Sequence, residues 1–313
     1  MKIKKFMLYN LIGSFIFLGL IFFFSFIYNK FMNLETKKYY YYDRINSKKV
    51  RITSVGSSHT YYGIFFNKNC NYINLAKSAQ NFYYDLKVLE KYQSKMEQEA
   101  IILIPISIQS FYSSDNKEID KGYINILSKK EIKNINLIEY LLERNFSILF
   151  PPSKIINFMK KNKNDDNFYP KDLKEKERRN ESIETVKIHL GINRTELKDY
   201  SLKNAEEDFI NLINYIESKN WKYVLITTPF SYLYNENIEK YQKGAFKERI
   251  YDNIKEVEKR LEKKFVYLDY SHDSRFENNL EYFFDDDHLN EKGAKYFTEI
   301  LLEDLKKLGY NID

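Results

Sequence analysis

Two stretches far apart in the chain carry residue types that together can do nucleophilic chemistry. The first, "ITSVGSSHTYYGI" from Ile52 to Ile64, is a short β-branched run that stops at Gly56 and continues into Ser57, Ser58 and His59. The second, "YFFDDDHLNEKGAKYF" from Tyr282 to Phe297, sets three aspartates before His288, with a helical segment after it. A serine hydroxyl is a weak nucleophile until an imidazole takes its proton, and a carboxylate can orient that imidazole and stabilise its charged form. The spacing Asp285-x-x-His288 can bring both side chains to one side of a turn. Separation along the chain is no obstacle, because such a triad is defined by geometry. Each piece also has a plainer reading. Ser57 or Ser58 can cap a following helix. Asp285 to Asp287 can form a loop or cap, or supply oxygen ligands to a divalent cation.

The chain has four histidines. His59 follows Ser58 directly, and adjacent side chains on a turn diverge, so it reads as a local or substrate-facing group and not as the base. His189, in "VKIHLGI", reads as packing, and His272, in "DYSHDSRF", as a candidate for substrate contact. No zinc motif or metal-ligand spacing is present, so no metal or cofactor is expected. The single cysteine, Cys70, excludes a disulfide framework and reads as packing.

The elements that must position these groups alternate in type. "VRITSVG" at 50–56, "NYINLA" at 71–76, "AIILIPIS" at 100–107, "WKYVLITTP" at 221–229 and "FVYLDY" at 265–270 read as strands. Helices are expected at 81–96, 202–220, 237–264 and 290–309, where apolar residues recur near a 3.6 period. This alternation implies a three-layer α/β/α fold with a mainly parallel sheet, whose site lies beyond the carboxyl ends of the strands. Residues 110–200 break the rhythm and read as an insertion, helical on either side of Pro151 and Pro152 and very polar over 161–184.

With 43% hydrophobic residues, 28 Tyr and 24 Phe, the 313-residue chain can bury a sizeable core. The formal charge of +6 is a weak bias with no clustered basic face or motif, so no nucleic-acid partner is expected. The clearest compositional feature is the N-terminus. Lys2, Lys4 and Lys5 precede an uncharged run from Phe6 to Tyr28, and about 20 apolar residues span a bilayer core. No small-x-small cleavage site follows, which favours an uncleaved anchor over a signal peptide. The leading lysines place the N-terminus inside by the positive-inside rule, with the remainder extracytoplasmic. The expected organisation is tail and anchor at 1–30, a stem at 31–48 with Tyr39 to Tyr42 near the interface, and a domain at 49–313.

Taken together, Gly56-Ser57-Ser58 after the first strand and Asp285-x-x-His288-Leu289-Asn290-x-x-Gly293 before the last helix resemble the SGNH/GDSL hydrolase family. The resemblance implies Ser58 as nucleophile, His288 as base and Asp285 as orienting acid, with Ser57 where the family usually keeps Asp. The family's second block resembles "NLAKSAQN" at 74–81, which puts Ala79 at the glycine whose backbone N–H serves the oxyanion hole and Asn81 beside it. The third block, Gly-x-Asn-Asp, is absent. "PISIQS" at 105–110 stands in its place and offers Ser107 or Gln109 as substitutes. Loss of one oxyanion donor costs ~10²–10³ in rate elsewhere. The N-terminal anchor is similar to the membrane-anchored branch of the family, which includes the D-alanine transfer protein of teichoic acid modification and alginate acetylation proteins. That branch implies O-acyl or O-acetyl chemistry on a cell-envelope glycan or lipid-linked polymer, beside a multi-pass acyltransferase. The substituted oxyanion positions favour an alternative, an SGNH-like module that binds a glycan or partner without catalysis. A flavodoxin-like binding protein is a third reading, without the glycine-rich phosphate loop it would want.

Overall fold

β-Branched and aliphatic residues in short runs, each bounded by polar turns, build five strands: β1 (Val50–Ser54), β2 (Tyr72–Asn74), β3 (Met96–Pro105), β4 (Lys222–Thr227) and β5 (Tyr267–Asp269). In the computed structural model they pair in the order β2-β1-β3-β4-β5, and every pairing is parallel. The structure describes residues 2–39, 49–66, 71–112, 122–133, 135–145, 169–192 and 198–312, with the backbone alone at 26–39, 198–203 and a few positions between 122 and 145. Cys70, Tyr40 to Tyr42, Pro151, Pro152 and the polar run at 161–168 lie outside the described residues.

Alternate residues of the central strands point to opposite faces, and both faces are covered. Ile52, Ile101, Leu103, Val224 and Ile226 share one core with Phe297, Leu301 and Leu305 of the last helix. Ile102, Ile104 and Leu225, one residue out of phase, are equally buried. The helices are α1 (Lys2–Tyr39), α2 (Ser58–Gly63), α3 (Phe82–Tyr92), α4 (Gly122–Ile126), α5 (Leu137–Asn145), α6 (Glu175–Leu190), α7 (Lys198–Ser218), α8 (Tyr232–Tyr241), α9 (Asp252–Leu261), α10 (Ser274–Glu277) and α11 (Glu291–Lys307). Helix α3 packs on α7, where Phe82 and Phe111 meet Phe209 with ring centroids 4.8 and 5.5 Å away.

The described residues form two compact units. One joins α1 with α4 and α5; the other holds the sheet and the remaining helices. In the first, Ile3–Ser25 of α1 is long and apolar enough to cross a membrane, with a mean hydropathy of 2.1. The helix runs on to Tyr39, so the segment read as a stem from residue 31 begins as helix. In the second, two expectations are corrected. The last part of the polar run read at 161–184 is not loop but the start of α6, from Glu175, whose Arg178, Ser182, Val186 and Leu190 recur every four residues and are buried. The single helix expected at 237–264 is two, separated by a turn that Ala245 N–H closes on Gln242 O and by a π-helical turn at Lys247–Tyr251.

Order 2-1-3-4-5 makes β1 and β3 leave the sheet in opposite directions, which opens a crevice at their carboxyl ends. Two glycines shape its rim. Gly56, at φ +106°, follows β1, and a Cβ there would lie 1.9 Å from Pro105 Cγ. Gly293, in the first turn of α11, lies so close to the chain that a Cβ would meet Tyr282 O at 2.2 Å. Gly293→Ala is therefore expected to push α11 off the loop before it. The cost is about 1–3 kcal/mol, read as a fall in Tm of about 2–4 °C per kcal/mol in a melt followed by circular dichroism.

Candidate active site

The nucleophile's position follows from the backbone of β1. After Ser54 the chain continues as Val55, whose N–H donates to Leu103 O, and turns at Gly56, whose N–H donates to Asp85 Oδ1 at 2.8 Å. Ser57 then stands at the N-cap of α2. Its side chain makes no capping bond; its carbonyl accepts from Thr60 and Tyr61 instead. Ser58 is the first residue of α2 and faces the crevice.

The partner comes from the loop between Phe283 and Leu289, which a bridge between those residues closes, with Phe284 N–H donating to His288 O at 3.1 Å. Asn290 caps α11 by accepting from Gly293 N–H at 3.0 Å and also donates to Glu281 O at 2.8 Å, which ties the loop to the helix. This explains the Leu-Asn-x-x-Gly that follows the histidine: one side chain caps, and the glycine lets the loop lie against the helix.

His288 Nε2 lies 2.8 Å from Ser58 Oγ. On its other side, Nδ1 lies 2.8 Å from Asp285 Oδ2 and 2.8 Å from Asp287 Oδ1. Carboxylates only accept, so Nδ1 carries a proton, and when Nε2 is unprotonated its lone pair is turned toward Ser58. Asp285 Oδ1 also accepts from the backbone N–H of Asp287 and His288. The ring stacks on Phe284 (5.5 Å, 7°) and on His59 (4.8 Å, 15°).

The sequence reading placed Asp285 beside His288, where it stands; it did not find Asp287 or the part played by His59. His59 is 4% exposed, and its Nε2 lies 2.8 Å from Asp287 Oδ2. Asp287 thus joins the two imidazoles. Burial alone would raise its pKa, but His288 and His59 hold it well below the usual carboxylate range. Burial likewise works against a charged His288. The charge of Asp287 and the hydrogen bonds that His288 donates to Asp285 and Asp287 outweigh it, and His288 is held well above the ordinary histidine value. Asp286 behaves oppositely: burial and then its two acidic neighbours push it up to about 8. The only sequence signal for this second pair is repetition, a histidine adjacent to the serine and an aspartate adjacent to the histidine, and it does not say which neighbour faces inward.

Ser57, Ser58, Ala79, Asn81, Ser107 and Gln109 all line one cavity of about 690 Å³. Ala79 has φ 58°, the left-handed region that glycine adopts freely and other residues rarely do. Asn81 is foremost a cap, accepting from Tyr84 N–H at 3.1 Å. Ser107 is engaged with Ser110, whose Oγ accepts from its N–H at 2.8 Å. His189, read as packing, also lines the cavity; its Nδ1 lies 2.7 Å from Tyr234 Oη, and burial drives it down to about 4. His272 pairs with Glu277 and Asn235 and is not among the cavity's lining residues. His59, His189 and Asp287 offer donor atoms within 4.8 Å of one another, a spacing that could hold a metal ion, although two of these atoms already face each other at 2.8 Å.

Asp85 forms the floor beneath Gly56. Burial lifts it to about 7, against hydrogen bonds from Gln80 and Gly56 that lower it. A carboxyl raised on folding stabilises fully below its unfolded value near 3.8, and that contribution drains away as pH rises toward 7. Asp85→Asn keeps the acceptor without the charge. Its Tm is expected to exceed the native value by about 3–8 °C at pH 8 and to match it near pH 4, as thermal melts at both pH values would read.

No protein-family model matches the chain, and no curated protein matches it. Among solved structures, the chain is similar to one described as a "putative acylhydrolase" from Bacteroides fragilis NCTC 9343. Identity is 11% and the TM-score 0.42, with 85% of this chain and 93% of that one covered. At that score the likeness carries no statement about this chain's chemistry.

Proposed function

We propose that the chain is a membrane-tethered serine esterase or acyltransferase of the SGNH type, acting on O-acyl groups of an envelope glycan or lipid-linked polymer outside the cytoplasmic membrane. The observation that carries this reading is the 2.8 Å contact between Ser58 Oγ and His288 Nε2, backed by two carboxylates on Nδ1. Ser58 Oγ attacks the acyl carbonyl carbon while its proton passes to His288 Nε2. The tetrahedral intermediate collapses as His288 returns that proton to the leaving alkoxide, leaving acyl-Ser58. Water or an acceptor hydroxyl then attacks, again through His288, and releases an acid or a new ester. The backbone N–H groups of Ser58 and Ala79 face the oxyanion in this scheme, with Ser107 or Gln109 as side-chain donor.

The testing experiment treats the full-length chain in detergent with a fluorophosphonate probe. Labelling is expected in the native chain and absent in Ser58→Ala. Labelling that survives the substitution would remove Ser58 as nucleophile; no labelling in either would return the chain to the reading of a non-catalytic binding module.

A further inference from the structure

The cavity beside Ser58 is larger than a short acyl group needs, and its lining includes a buried cation. Arg249, on the π-helical turn at Lys247–Tyr251, is 8% exposed and lines the same cavity as Ser58. Such turns concentrate at functional sites. Its guanidinium has five N–H groups. Nε donates to Gln242 Oε1 at 2.9 Å, one Nη donates to Leu190 O at 2.9 Å, and the other faces His189 O at 3.5 Å. One face lies over the Tyr112 ring, 4.5 Å from its centroid.

All three acceptors are neutral, and no carboxylate among the described residues forms an ion pair with Arg249. Two of its N–H groups have no acceptor among them. The carbonyls come from the last turn of α6, where the helix dipole favours a cation, which accounts for how the charge is tolerated. It does not account for an arginine, whose planar fork suits a carboxylate or phosphate, at a cavity wall. We infer that Arg249 is a recognition site for an anionic group, a carboxylate or a phosphate, borne by the molecule whose acyl group Ser58 takes. This rests on the function proposed above, and it assigns the substrate class of that site: acyl esters of negatively charged carriers.

The test uses three acetate esters on one phenol frame, 4-acetoxybenzoate, 4-acetoxyphenyl phosphate and neutral 4-acetoxybenzamide, with the full-length chain in detergent. Arg249→Gln is expected to lower kcat/KM about 10–100-fold for at least one anionic ester, chiefly through KM, and less than about twofold for the amide. Loss confined to the benzoate identifies a carboxylate, and loss confined to the phosphate identifies a phosphate. Equal loss on all three, or none, overturns the inference and leaves an arginine that only caps α6. Should Arg249→Gln not fold, Arg249→Lys keeps the charge without the fork, and the expected loss is smaller but still confined to the anionic esters. If no ester is turned over, the esterase reading fails, and binding decides the inference separately. 4-Hydroxybenzoate or 4-hydroxyphenyl phosphate should then raise the Tm of the native chain and not of Arg249→Gln; equal rises, or none, overturn it.

Discussion

Ser58→Ala is expected to lower ester turnover by about 10⁴–10⁶-fold, with His288→Ala falling into the same range and the double substitution costing little more. The two residues are expected to act as one unit: among the described residues Oγ has no other general base within hydrogen-bond reach, and Nε2 has no other side chain to serve. Removing Oγ breaks no described backbone hydrogen bond and costs only the contact with His288, so the melt of Ser58→Ala should lie close to the native one. The rate on a soluble acetate ester, measured beside that melt, checks both halves. Turnover within tenfold of native, or strict additivity of the two single losses, would show that the pair does not operate together.

A second large effect is expected at Asp287, a residue that sequence spacing did not single out. Asp287→Asn should lower kcat about 10²–10⁴-fold, because the amide can turn a donor toward Nδ1 of His288 or Nε2 of His59 and misdirect the ring that serves Ser58. Asp285→Asn should cost less. Its Oδ1 can still accept the backbone N–H of Asp287 and His288, and Asp287 remains to orient Nδ1. The pH profile separates orientation from mere packing. A base works only when unprotonated, so with His288 raised well above 6.5 the acid limb of kcat/KM lies on the alkaline side of that value. Removing the Asp287 charge lowers the His288 pKa and moves that limb to lower pH. The stability signs follow. Asp287, depressed on folding, stabilises above about 3.8 and loses that contribution as pH falls through its folded value. His288, raised, stabilises fully below 6.5 and loses its contribution as pH climbs through its own. An acid limb that stays put in Asp287→Asn would reduce Asp287 to a packing residue.

The sheet was legible because a parallel strand buried on both faces must be an unbroken apolar run, as in Ile101 to Ile104, and because each run ended in a turn. Ser58, Asp285 and His288 were legible because their types and order are chemically restrictive. Asp287 and His59 were not, because within "DDDH" and "SSH" the backbone turn alone decides which neighbour faces inward. Helix α6 was hidden by composition: its buried stripe is Arg178, Ser182, Val186 and Leu190, only half apolar, so the period is present while the hydrophobic signal is not. Arg249 was hidden by near-continuity, since the run from 237 to 264 is helix-forming except at Gly244, and a lone glycine does not announce the π-helical turn that aims it.

The contact between Ser58 and His288 spans 230 residues. A ribosome adding about 5–20 residues per second has the nucleophile made on the order of 10–50 s before its base exists. During that interval the N-terminal half carries an unactivated serine, no more reactive than any other hydroxyl. Reactivity arrives only when the loop at 283–289 and α11 dock on the sheet. On the function proposed above, activity therefore waits for the loop at 283–289, and a chain interrupted before residue 283 holds all five strands without a base for Ser58.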